Sequence, residues 1–170
     1  MEEDEDEEWD EEEDEEWDEE EDEEFLAEMI VEAAFPPGRA PVFADAVRAP
    51  QVVPWLEGWM RLGDLGVVAE ENEPLGAAWG RCFTGHETGL SGFVDTETPV
   101  IAIAVREGHR GCGIGTALLE ALVVAARGDG RRALSLSVGR ANAALRLYER
   151  TGFRRLDADR DGPLRLRYAL

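Results

Sequence analysis

Two rhythms of apolar and polar residues alternate along this chain, and the change between them outlines its elements. Over 25–35, FLAEMIVEAAF, apolar residues recur at helical spacing with Phe25, Met29 and Ile30 on one side, and PPGRAP stops the run. PVFADAVRAP and QVVPWLEGWM then read as one or two short helices divided by Pro50 and Pro54. After that the period shortens. Residues 65–71, LGVVAEE, and 74–84, PLGAAWGRCFT, are strand-like and joined by the turn NEP as a hairpin. A polar, glycine-bearing loop fills 85–98. The unbroken apolar run PVIAIAV, 99–105, fits a strand buried on both faces. GIGTALLEALVVAAR, 113–127, is an amphipathic helix that ends at GDG, and ALSLSV, 133–138, alternates as a strand. NAALRLYERTGF, 142–153, is a helix with Gly152 as its C-terminal stop, and PLRLRYAL, 163–170, alternates into a last strand. Helices, a hairpin, then strand–helix–strand–helix–strand define a mixed α/β domain.

Charge changes the picture at one end only. Residues 1–24 hold 21 Asp or Glu, and the remaining 146 residues carry 18 acidic and 17 basic side chains. The net charge of −22 therefore belongs to a tail, and the body is close to neutral. Three acidic octads end in Trp9, Trp17 and Phe25; eight residues do not repeat on a helix face, and like charges at i,i+4 oppose helix formation. A disordered acidic tail over 1–24, before one domain over 25–170, is the expectation. Its sharper reading is an interaction tail for a basic partner. The body suits a single core. An acidic start argues against a signal peptide, and no apolar run reaches a membrane span. A cytoplasmic protein with no membrane or nucleic-acid partner is expected. Cys82 and Cys112 have neither zinc nor redox spacing, so no metal site is expected.

Chemistry concentrates in the segment EGHRGCGIGT, where four glycines lie between Gly108 and Gly115, directly before a helix. A helix N-terminus with unpaired N–H donors and a positive dipole end is a ready anion site, and glycines let a phosphate approach the main chain. Arg110 adds a positive charge beside it. A P-loop requires a Lys, and this chain has none. The dinucleotide fingerprint G-x-G-x-x-G is not matched by Gly111-Cys112-Gly113-Ile114-Gly115, and Asp129 lies in a turn.

The segment Arg110-Gly111-Cys112-Gly113-Ile114-Gly115-Thr116 resembles the R-x-x-G-x-G segment of the GCN5-related N-acetyltransferases (GNAT). LSLSVGRANAALRLYERTGFRRL resembles the later segment of that family: a strand, an Asn, then a helix that bears Leu-Tyr and ends in Gly-Phe. The resemblance runs from about Pro99 to Leu156. It implies a GNAT-like, mainly antiparallel mixed sheet flanked by helices, with acetyl-CoA as acyl donor and a small-molecule or peptide amine as acceptor. By that resemblance Ile103 and Val105 would offer strand-edge groups to the pantetheine arm. The backbone of Arg110, Gly111, Cys112, Gly113, Gly115 and Thr116 would cradle the pyrophosphate, and Asn142 would hydrogen-bond the cofactor. Tyr148 would be the general acid for the leaving thiolate, and a backbone N–H of 99–105 the oxyanion donor.

The sequence departs from the family at three places. Val100 stands where many relatives carry an acid, which leaves Glu97, Asp95 or water as the base. Cys112 occupies a position often basic or polar, and the acidic tail stands where the family usually opens with a strand. A catalytically weak CoA-binding sensor, with the tail as its contact to a basic partner, is the alternative these departures raise. Asn142 also suits a helix N-cap, and Tyr148 a core aromatic.

Overall fold

The computed structural model describes residues 19–35, 38–58, 61–84, 92–156 and 162–170. Residues 1–18, Trp59 and the first half of the 85–98 loop lie outside them. Among the described residues no helix is long and apolar enough to cross a membrane.

Three helices lead in: α1 (Glu19–Ala34), α2 (Phe43–Ala46) and α3 (Val53–Leu56). The hairpin β1 (Leu65–Glu70) and β2 (Pro74–Arg81) follows, then β3 (Val100–Val105), α4 (Ile114–Gly128) and β4 (Ala133–Val138). The chain closes with α5 (Ala144–Thr151), the two-residue strand β5 (Arg154–Arg155) and β6 (Leu164–Ala169). One six-stranded sheet has the order β1-β2-β3-β4-β6-β5. Every neighbouring pair is antiparallel except β3 and β4. This is the mixed, mainly antiparallel sheet that the sequence implied.

Element boundaries differ instructively. Helix α1 starts at Glu19, six residues inside the stretch expected as tail. Phe25, Met29, Ile30 and Val31 are buried and anchor the helix. The next two helices have four residues each; Pro54 lies in the first turn of α3, where a proline is tolerated, and Gly58, at φ +60°, follows its end. Strand β5 escapes a reading by periodicity because Arg154 and Arg155 are both exposed and too few to alternate.

The sheet separates two cores. On one face α4 buries Leu118, Leu119, Leu122, Val123 and Ala126, spaced for a single stripe, against Ile101, Leu134, Leu136, Leu164 and Leu166. On the other, α1 and the α2–α3 segment cover Ala77, Trp79, Phe83, Val100 and Ala104, with Trp55 edge-on to Trp79 and Phe83. Along β3 the side chains alternate between these cores, so its apolar run has no polar face.

A buried arginine ties the second core together. Arg81 is 1% exposed, and its Nε and Nη2 donate to the Asp64 carboxylate at 2.5–3.1 Å. Its Nη1 reaches the carbonyls of Pro54 and Glu57, and Nη2 that of Gly58. One guanidinium thereby satisfies three carbonyls at the end of α3 and fastens that turn to β2. Arg81→Met would strand the Asp64 charge and those carbonyls. It should lower unfolding free energy by about 3–5 kcal/mol, measured by urea denaturation. A loss under about 1 kcal/mol would mean that water replaces the guanidinium without cost.

A candidate functional site between diverging strands

Strands β3 and β4 run parallel but share a single register pair, Val100 with Ser135, where the Ser135 N–H donates to the Pro99 carbonyl at 2.9 Å. Beyond it they part. The neighbouring β2–β3 ladder fixes what faces the gap. Arg106 N–H donates to Leu75 O at 2.8 Å, and antiparallel pairing alternates, so Ala104 and Ala102 also turn their backbone groups toward β2. Ile103 and Val105 turn theirs the other way, into the opening. A strand edge held this way offers N–H donors and C=O acceptors to an extended ligand.

The glycine turn stands at the mouth of this opening. Gly108, Gly111 and Gly113 all have φ between +78° and +91°, a region that costs other L-residues about 1–2 kcal/mol. This geometry, as well as ligand approach, accounts for the glycines. Gly113 is the N-cap of α4 and has no side chain to cap it; its carbonyl accepts from Thr116 and Ala117 N–H at 3.0 Å each. The N–H groups of Ile114 and Gly115 thus begin the helix without a side-chain cap. A Cβ on Gly115 would lie 3.5 Å from Leu147 Cδ2 and 3.9 Å from Val105 Cγ2. Strand β3, the start of α4 and helix α5 therefore converge at one point.

Helix α5 brings the remaining residues. Asn142 Oδ1 accepts from Ala144 N–H at 2.9 Å, so this side chain does cap the helix start. A shallow, open depression beside it is lined by Arg140, Asn142, Leu145 and Arg146 among others. The two arginines were missed from sequence, although they flank Asn142 at −2 and +4. Tyr148, one turn and a half on, is 7% exposed and stands edge-on to Phe153, with ring centroids 5.7 Å apart. Burial pushes its hydroxyl pKa far above the ordinary tyrosine value, so the proton stays on the oxygen throughout the neutral range.

Two expected roles look different in three dimensions. Arg110 does not point its charge at the first turn of α4: its Nε donates to Val105 O at 3.0 Å and its Nη2 pairs with Glu32 on α1. Cys112 is exposed and its Sγ lies 3.8 Å from Arg110 O. Asp95 holds a turn, accepting from the N–H groups of Glu97 and Thr98 and from the Thr98 hydroxyl at 2.8–3.0 Å. Desolvation opposes its ionisation, but those hydrogen bonds prevail and lower its pKa, which makes it a poor proton acceptor. Glu97 is exposed beside it. Gly92 was also missed: a Cβ there would meet Val100 Cγ1 at 2.8 Å and the Leu136–Ser137 backbone at 3.0 Å, so its bare backbone packs where the strands divide.

This divergent parallel pair, with a glycine turn at its mouth, defines a class. A family model described as acetyltransferase (GNAT) domain matches residues 62–155, more than half of the chain. The protein belongs to the GNAT family and is an acetyltransferase by that membership. No curated protein matches the sequence. Among solved structures, it is similar to ribosomal-protein-alanine N-acetyltransferase from Brucella melitensis, with TM-score 0.64 and 23% identity over 89% of this chain and 96% of that one. PaiA N-acetyltransferase from Thermoplasma acidophilum, in complex with coenzyme A, gives TM-score 0.63 at 15% identity, over 88% and 94% of the two chains. YncA from Salmonella typhimurium, solved with its cofactor acetyl-CoA, gives 0.56 at 22%, over 88% and 85%. At these identities the likeness is one of fold.

Tyr148 supplies a direct test of the site's interior. Its folded-state pKa is raised, so its burial favours the native state fully below the unfolded value of about 10, and that stability is lost as pH rises above it. Phenolate absorbance at 295 nm, taken as wild type minus Tyr148→Phe, should develop only above pH ~10. A midpoint at or below that value would place the hydroxyl in water.

Proposed function

We propose that this protein moves an acetyl group from acetyl-CoA to a primary amine, carried by a small molecule or a peptide. The observation that carries the reading is the opening of β3 from β4 after one bridge, with the uncapped start of α4 at its mouth. An extended arm fits along Ile103 and Val105, and a pyrophosphate fits the turn from Arg110 to Thr116. Neighbours of the same fold solved with coenzyme A or acetyl-CoA support this choice of donor. Asn142, with Arg140 and Arg146 around it, would hold a polar part of the same ligand.

Acetyl-CoA supplies a thioester, the electrophile for a neutral amine. A backbone N–H of the β3 edge, such as that of Ile103, would stabilise the carbonyl oxygen as it gains charge, a contribution of about 3–4 kcal/mol. The new bond joins the amine nitrogen to the carbonyl carbon, and the bond to sulfur breaks. Tyr148 would donate its proton to the departing sulfur. Its raised pKa keeps the acid form available at neutral pH but also makes the proton harder to give up. Donation would thus follow charge build-up on sulfur. The proton leaving the amine would go to Glu97 or to water, since Asp95 is engaged in its turn.

Acetyl-CoA at about 100 times its Kd should stabilise the protein by about 2.7 kcal/mol, raising the melting temperature by roughly 5–10 °C, with NAD without effect. Thiol release with a panel of amines should fall about 100-fold in Tyr148→Phe, with acetyl-CoA affinity retained. Undiminished turnover in that variant would remove Tyr148 from the chemistry. Cofactor binding without turnover on any amine would favour a CoA-binding sensor over an enzyme.

A further inference from the structure

Arg110 lies at the mouth of the β3–β4 opening, and both of its recorded contacts turn it away from an incoming phosphate. Its Nε holds Val105 O, one of the two outward carbonyls of the β3 edge. Its Nη2 is ion-paired with Glu32, which belongs to α1 on the opposite side of the sheet from α4. Two of the five guanidinium donors are engaged in this pose, and a phosphate that takes the Nη2 donor from Glu32 competes directly with that carboxylate. A ligand that bonds to the Val105 carbonyl shares or displaces the Arg110 contact there, and its phosphates offer Arg110 another negative partner.

Helix α1 does not depend on this contact for its place. Glu28, one turn before Glu32, pairs with Arg106 at 3.4 Å; Arg106 also reaches Glu73 at 3.5 Å and stacks over the Phe25 ring at 5.1 Å. Phe25, Met29, Ile30 and Val31 are buried beneath. Glu32 can therefore be neutralised without unseating the helix.

We infer that Glu32 sets cofactor affinity by acting as an internal competitor: it and Val105 O hold Arg110 as a latch across the opening, and the phosphates of acetyl-CoA replace Glu32 as the partner of Arg110. The inference rests on the acetyl-CoA reading of the site given above. Glu32 is a positioning residue, since it acts through Arg110. The size of the effect follows from exposure. The two side chains are 36% and 41% exposed, where ion pairs are screened and worth at most a factor of about five.

Titration calorimetry of the full chain with acetyl-CoA tests it. Glu32→Gln should bind about two- to fivefold more tightly than wild type, and its melting temperature in the absence of ligand should fall by no more than about 4 °C, because the ion pair removed is the one the ligand would otherwise have to break. In an Arg110→Ala background the same change should have no effect on affinity, because the competitor acts only through that arginine. Equal or weaker binding by Glu32→Gln, with wild type binding normally, would overturn the latch and leave the acetyl-CoA reading intact. A gain that persists without Arg110 would also overturn it, since it would then be a general charge effect. Failure of wild type and both variants to bind acetyl-CoA would sink the cofactor reading and the latch together.

Discussion

The candidate site depends on two parallel strands that stay together for one register pair and then separate. A sheet interior normally satisfies its backbone groups strand by strand. Here β3 is fully paired to β2 on one side and paired to β4 only at Val100–Ser135 on the other. The backbone groups of Ile103 and Val105 are left facing an opening within an otherwise continuous sheet. Val105 O accepts from Arg110 Nε, and the remaining groups are costly to leave dry and unpaired, which favours an extended ligand that completes the ladder.

The surrounding packing keeps that opening apart. Gly92 presses bare backbone against β4 beside the shared pair, and at Gly115 the start of α4 meets Leu147 of α5 and Val105 of β3. On the far face, the buried Arg81 fastens the turn after α3 to the end of β2, beside the same shared pair through its partner Val100. Geometry at the opening is thus inherited from both cores, and the polar groups that could serve chemistry sit on elements rigidly held by apolar neighbours.

Much of this was legible in the sequence. The 3.6-residue stripe of α4 and the unbroken apolar run of β3 are strong periodic signals, and both elements fall within a residue or two of where the pattern puts them. The glycine turn could be found because positive φ and a following helix leave a local trace. What escaped was long-range. No local rule tells Arg110 to turn toward Glu32, 78 residues earlier in the chain, in place of the helix start it adjoins. Nor does any local rule say that Gly92 meets β4; the engagement of Asp95 by its own turn, in contrast, is a local Asx-type arrangement. The start of α1 was misplaced because charge repulsion was weighed without the packing of Phe25 and Met29 that carries the helix onward.

The alternation of β3 has a consequence for how such a protein changes over generations. Val100, Ala102 and Ala104 speak to one layer, and Ile101, Ile103 and Val105 to the other. Substitutions in α1, α2 or α3 can therefore drift with their contacts on the even-numbered positions while the layer under α4 and α5 stays as it is. The fold is partitioned like two rooms sharing a wall. Lineages can refurnish one room without disturbing the other, and only residues that reach through the wall, as Arg110 does to Glu32, oblige the two to evolve together.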